Sequence, residues 1–152
     1  METLEKILSE HSFFKDLSPA HNAIICGCAA NTVFPKGEFL FREGEAADKF
    51  YVIRQGKVLV ETHVPHRGPV AIQSREAGEV LGWSWLVPPY RWHFDARAVE
   101  TTRAIVFDGK CLRERFASDH ELGYEVMRRF VTVIAERLDA TRMQLLDVYG
   151  HH

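Results

Sequence analysis

The chain has 152 residues, 46% hydrophobic and 26% charged, with a net charge of -2 and a pI near 6.4. That size predicts one domain with a real core, and that charge disfavours a broad basic face and direct nucleic-acid binding. No apolar run reaches the roughly 18 residues of a membrane span, and the acidic start Met1-Glu2-Thr3-Leu4-Glu5-Lys6 lacks a signal-peptide core, which points to the cytoplasm.

The chain opens on a short amphipathic turn over residues 3–9, with Leu4, Ile7 and Leu8 on one side. Ser18-Pro19 reads as an N-cap followed by proline at the first helical position. It predicts a helix over about 19–29 that buries Ala23, Ile24 and Cys28. Three cysteines, Cys26, Cys28 and Cys111, without a secretion signal predict reduced thiols. Cys26 and Cys28 do not share a helix face, and there is no His-x-x-x-His, so no metal site is expected.

Pro35-Lys36-Gly37 breaks the chain, and from 31 to 108 short β-rich runs alternate with glycine turns. Phe50-Tyr51-Val52-Ile53 is one run, and Gly56-Lys57 reads as a hairpin turn into Val58-Leu59-Val60. A turn from Pro65 to Pro69 leads into Val70-Ala71-Ile72, and two more strands are expected over 94–99 and 102–107. Short strands at this spacing predict a sandwich or barrel, here a small antiparallel jelly roll.

Asp108 is placed to cap a helix running to about Ala117. Ser118-Asp119-His120-Glu121 reads as a capping box that opens a long helix over 119–149, with Gly150 as its stop. Met127, Phe130, Ile134, Leu138, Thr141, Leu145 and Val148 recur at spacings of three and four, a near-heptad stripe. A helix of that length outruns a compact domain. Its first half is expected to pack on the roll and its second half to pair with another copy. The predicted fold class is α+β: helices over 1–30, an antiparallel β jelly roll over 31–108, and C-terminal helices over 109–150.

The segment 78–98 concentrates the unusual chemistry. A glycine turn, Gly78-Glu79-Val80-Leu81-Gly82, leads into Trp83-Ser84-Trp85-Leu86-Val87. Pro88-Pro89 stops that run, and Tyr90-Arg91-Trp92-His93-Phe94 follows. Backbone N–H groups at such a turn can hold an anion. Trp83, Trp85, Tyr90 and Trp92 either fill this region themselves or, with Arg91, His93 and Arg97, line a site for a planar anion. His93 and Asp95 share a strand face, but no nucleophile–base pairing, metal-ligand spacing or P-loop accompanies them, so no enzyme is expected.

The order helix, roll, short helix, long helix, with the run Phe39-Leu40-Phe41-Arg42-Glu43-Gly44 through Phe50-Tyr51-Val52-Ile53 to Gly56-Lys57-Val58, carries a family likeness. Over about residues 13–150 it resembles the cyclic-nucleotide-binding domain of the catabolite-activator-like (Crp/Fnr) superfamily. The resemblance implies a non-enzymatic regulatory or sensor module, homodimeric through helix 119–149, with cAMP or cGMP as candidate ligand and no cofactor required. It also identifies segment 78–98 with the family's phosphate-binding cassette. The implied ligand residues are Gly82, Trp83, Ser84, Trp85, Arg91, Trp92, His93 and Phe94. Glu136 and Arg137 match the helix positions that contact the nucleotide base or the second subunit.

The cassette departs from the family pattern. That pattern has a glutamate after the second glycine, accepting the ribose 2′-hydroxyl, and an arginine further along for the cyclic phosphate. Here Trp83 follows Gly82, and Arg91 stands one place before Trp92, which holds the arginine position. A slip in the Pro88-Pro89 turn would bring Arg91 into the site. Reading Gly78-Glu79 as the functional pair instead leaves Arg91 too far away. Losing the carboxylate costs on the order of 1.5–3 kcal/mol, or ~10- to 100-fold in affinity. Some relatives in the superfamily bind haem, for which His93 would be the axial candidate, although a structural histidine is the plainer role. Leu146-Asp147-Val148-Tyr149-Gly150 is similar to the end of the family's dimer helix. A DNA-binding domain follows there in the transcription factors, whereas here the chain stops, so none is expected. The other function to weigh is a ligand-free dimeric interaction module with an aromatic-filled pocket and an unidentified protein partner.

Overall fold

A computed structural model describes residues 3–150; Met1, Glu2, His151 and His152 lie outside the described residues. The chain opens with helices α1 (Leu4–Glu10) and α2 (Pro19–Gly27). Strands β1 (Ala29–Phe34), β2 (Phe39–Phe41), β3 (Lys49–Gln55), β4 (Lys57–Val64), β5 (Gly68–Glu76) and β6 (Val80–Leu81) follow. After a 3-10 turn (Ser84–Leu86) come β7 (Asp95–Ala98), β8 (Thr102–Asp108), α3 (Gly109–Ser118) and α4 (His120–Gly150). The strands form two four-stranded antiparallel sheets, ordered β1-β8-β3-β6 and β2-β7-β4-β5. This is the predicted jelly roll with flanking helices. None of the described helices is long and apolar enough to cross a membrane.

Local signals account for most boundaries. Ser18 caps α2 by accepting from the His21 N–H, with Pro19 at the first helical position. Asp108 caps α3 by accepting from the Cys111 N–H at 3.1 Å. The turn between Pro65 and Pro69 closes the β4–β5 hairpin, where Val64 faces Gly68.

Several expectations need correction. Gly56 is not a hairpin turn, because β3 and β4 belong to different sheets. It is a corner where the chain changes sheets, with φ +102° and a Cβ position only 2.5 Å from the Thr101 carbonyl oxygen. Any side chain there would clash with backbone. In α2 the buried residues are Asn22 and Ile25, whereas Ala23 is exposed and Ile24 half-buried. Helix α1 meets α2 from that side, where the Asn22 amide donates to the Glu5 carbonyl at 3.0 Å. Ser118 does not cap α4; its hydroxyl donates back to the Arg115 carbonyl, and Asp119 accepts from the Leu122 N–H at 3.0 Å.

The cysteines are not all reduced thiols: Cys28 and Cys111 form a disulfide. Pairing of Ala29 with Phe107 across β1 and β8 brings the strand ends together, and the Asp108 N–H donates to the Cys28 carbonyl at 2.8 Å. The next helix then carries Cys111 to Cys28, with Cα atoms 5.9 Å apart. Cys26 stays free, and burial followed by the nearby Glu5 charge pushes its thiol up to about 11.

The core between the first sheet and the helices is aromatic. Phe50 stacks on Phe107 with ring centroids 4.3 Å apart and on Trp85 at 5.0 Å. Phe130 meets Phe13 edge-on at 4.9 Å and Phe50 at 5.1 Å. Such pairs add about 0.5–1.5 kcal/mol each beyond the area they bury. Leu122, Val126 and Phe130 are the buried residues of α4. The stripe predicted for that helix therefore divides: Phe130 belongs to the core face, while Met127, Leu138, Leu145 and Val148 are exposed with Tyr124 and Val131. All described residues from 138 onward in α4 are exposed.

Candidate ligand-binding site

The glycine turn before the cassette is held from three sides. Gly78, at φ +92°, donates its N–H to the Ile53 carbonyl at 2.7 Å. His11 Nε2 donates to the Gly78 carbonyl at 3.0 Å, while its Nδ1 accepts from the Phe13 N–H. Burial keeps that imidazole below its ordinary range despite the carbonyl contact. Glu79 accepts from the Glu76 N–H through Oε1 and meets Arg137 Nη1 of α4 through Oε2 at 3.3 Å. The Arg137 guanidinium also donates to the Val80 carbonyl at 3.3 Å.

Gly82 has φ +95°, and a Cβ there would stand 2.7 Å from Trp92 Cη2. Glycine is required both by the backbone and by the indole lying over it. Trp92 stacks on Phe41 with centroids 3.7 Å apart and planes 10° from parallel. Trp85 is wholly buried, and its carbonyl accepts from Arg113 at 2.6 Å. That arginine lies over the Tyr90 ring at 4.5 Å and meets Asp48 at 3.6 Å. Trp85 Nε1 has no partner among the described residues.

Chain pairing decides which cassette side chains face inward. Residues 90–92 lie along 44–47: the Ala47 N–H donates to the Tyr90 carbonyl, the Trp92 N–H to the Glu45 carbonyl, and the Gly44 N–H to the Trp92 carbonyl. Strand alternation then turns Trp92 inward and leaves Arg91 and His93 exposed. Arg91 Nη1 donates to the Gly44 carbonyl at 3.2 Å. Ser84 is buried, and Trp83 and Phe94 are half-buried. Arg97 forms a two-point ion pair with the buried Glu61, at 2.9 and 3.3 Å. Asp95 accepts from the Glu43 N–H at 2.7 Å, so its carboxylate caps a turn.

A cavity of about 160 Å³ lies beneath Gly82, Trp83 and Phe94 and is closed on the far side by Phe130, Val133 and Arg137 of α4. Of the residues singled out in the sequence, it brings together Gly82, Trp83, Phe94 and Arg137. It does not include Ser84, Trp85, Arg91, Trp92 or His93. Glu136 lies instead in a larger groove of about 490 Å³ outside the roll, between the Ser12–Asp16 turn and α4. No group of three or more His, Cys, Asp or Glu able to hold a metal occurs among the described residues.

Two lining residues, Gln73 and Arg75, were missed. They pair across the hairpin with Val60 and Val58, which are buried, so they face the roll interior. The signal was strand alternation through Gln73-Ser74-Arg75, obscured because a charged residue normally marks the solvent face.

The chain combines a jelly roll, a glycine turn over a cavity, and a terminal helix that forms part of the cavity's wall. The family model for the cyclic nucleotide-binding domain matches residues 31–119, and the chain belongs to that family. It is 26% identical over 145 residues to the CRP-like cAMP-activated global transcriptional regulator of Mycobacterium tuberculosis, covering 95% of this chain and 63% of that protein. Among solved structures, one described as a cyclic nucleotide-binding protein of Geobacter metallireducens superposes with a TM-score of 0.81 at 25% identity, covering 90% of this chain and 99% of that one. The cyclic nucleotide-binding domain from Methylobacillus flagellatus gives 0.80 at 22% identity, over 95% of this chain and 81% of that one.

Proposed function

We propose that the chain acts as a homodimeric sensor domain: ligand in the cavity reseats α4, and the exposed half of that helix passes the change to a second copy. One observation carries the reading. The same helix closes the cavity through Phe130, Val133 and Arg137 and then presents Leu138, Leu145 and Val148 to solvent. A ligand favouring one seating of the helix shifts the population toward it. The cyclic nucleotides cAMP and cGMP are the ligands to try first, in keeping with the M. tuberculosis relative's description as cAMP-activated.

The exposed position of Arg91 and the presence of Trp83 after Gly82 favour weak nucleotide binding or an altered ligand. Trp92 packed on Phe41 and Trp85 in the core favour the second reading, a ligand-free interaction module. Calorimetric titration of the full chain with cAMP and cGMP, repeated with Arg91→Ala, separates them. Saturable heat with either nucleotide supports nucleotide sensing, and its loss in the variant would place Arg91 at the phosphate. No heat from a folded dimer favours a different ligand or none.

A further inference from the structure

The two charged side chains buried in the second sheet, Glu61 and Arg75, are treated differently. Glu61 is buried and satisfied by Arg97. Arg75 is only 8% exposed, yet no carboxylate lies within ion-pair distance of it among the described residues. Its guanidinium donates to the Ser74 carbonyl at 2.8 Å and to Gln73 Oε1, both neutral. Burial, then the like charge of Arg137, push Arg75 down to about 10, with Glu79 opposing. A buried charge without a counter-ion is costly unless something else supplies the opposite charge.

Both guanidiniums face the 160 Å³ cavity, and no Asp or Glu lines it. Glu79, the partner of Arg137, reaches it from the outer groove. The other walls are mostly apolar, with Trp83 and Phe94 offering ring surface. Pockets for drug-sized ligands run to about 300–1,000 Å³, so this one suits a smaller molecule than a nucleotide. Guanidinium forks match the planar carboxylate.

We propose that the cavity binds a small aromatic carboxylate, its carboxylate between Arg75 and Arg137 and its ring against Trp83 and Phe94. The proposal rests on the sensor reading above and names the ligand class. It also supplies the switch. The incoming anion competes with Glu79 and the Val80 carbonyl for Arg137, and so loosens the tie between α4 and the cassette turn.

The test titrates phenylacetate, and its neutral isostere phenylacetamide, into the full chain, read by tryptophan fluorescence and calorimetry, with cAMP as a third arm. Saturable phenylacetate binding is expected, weakened at least about tenfold in the amide and in Arg75→Gln and Arg137→Gln. Melting curves check that the variants fold; Arg137, half-buried, serves if Arg75→Gln does not. Equal binding of acid and amide, unchanged affinity in a folded variant, or no phenylacetate binding up to millimolar concentration overturns the proposal. Should cAMP bind with an affinity that both variants leave unchanged, the carboxylate site falls and the sensor reading stands. If nothing binds and the chain sediments as a monomer, both fall.

Discussion

The two halves of α4 have similar apolar content and different fates. Leu122, Val126 and Phe130 are buried against the aromatic core, Thr141 lines the cavity, the Gln144 amide donates to the Ile72 carbonyl at 3.4 Å, and Arg137 ties the helix to Glu79 and Val80. Beyond it Leu138 and Leu145 stand 58% and 54% exposed. With about 100° between successive residues, two apolar stripes run along one helix roughly a third of a turn apart. One serves the domain itself. The other starts beside the core at Tyr124, Met127 and Val131 and continues through Leu138, Leu145 and Val148. A single helix can therefore answer to a ligand on one face and to a partner on the other.

The contrast is broken most severely at Phe130. Phe130→Ala removes an aromatic touching Phe13, Phe50 and Trp85 and should cost about 3–5 kcal/mol in urea unfolding. A loss below 1 kcal/mol would mean that the packed half is not seated as described. Next in size is the Cys28–Cys111 link, whose removal by Cys111→Ser should cost about 2–4 kcal/mol. Thiol counting under denaturing, non-reducing conditions should find Cys26 as the single reactive thiol; three would contradict the link. The smallest effect sharpens the packed side. His11 is held neutral below the ordinary value of 6.5, so the unfolded chain takes up a proton first as pH falls. Its contribution is fully present above pH 6.5 and is lost progressively below it. The urea midpoint should fall on acidification from that point, and less steeply in His11→Gln.

Much of this was legible in the residues. Glycine-punctuated strands marked the roll, and Ser18-Pro19 and Asp108 marked two helix starts. The stripe on α4 was legible, and Phe130 in its first half packs on the roll as expected, but Met127 was misplaced, because residues three apart lie about 60° from one another around the helix. Spacings of three and four do not distinguish such faces without the roll beside them. Asp119 took the cap from Ser118 because either side chain can reach the first turn. The disulfide joins residues separated by 83 positions, and only the β1–β8 register brings them together. Arg75 was hidden by its charge, and the outward turn of Arg91 depends on pairing with 44–47, far away in sequence.

The division of α4 is tested most directly by sedimentation equilibrium of the full chain beside the Leu138→Asp/Leu145→Asp double variant, with melting curves of both. The account predicts a wild-type dimer and a folded variant monomer whose urea midpoint at matched monomeric concentration is little changed. A wild-type monomer at high micromolar concentration, or a variant that stays dimeric, would contradict it.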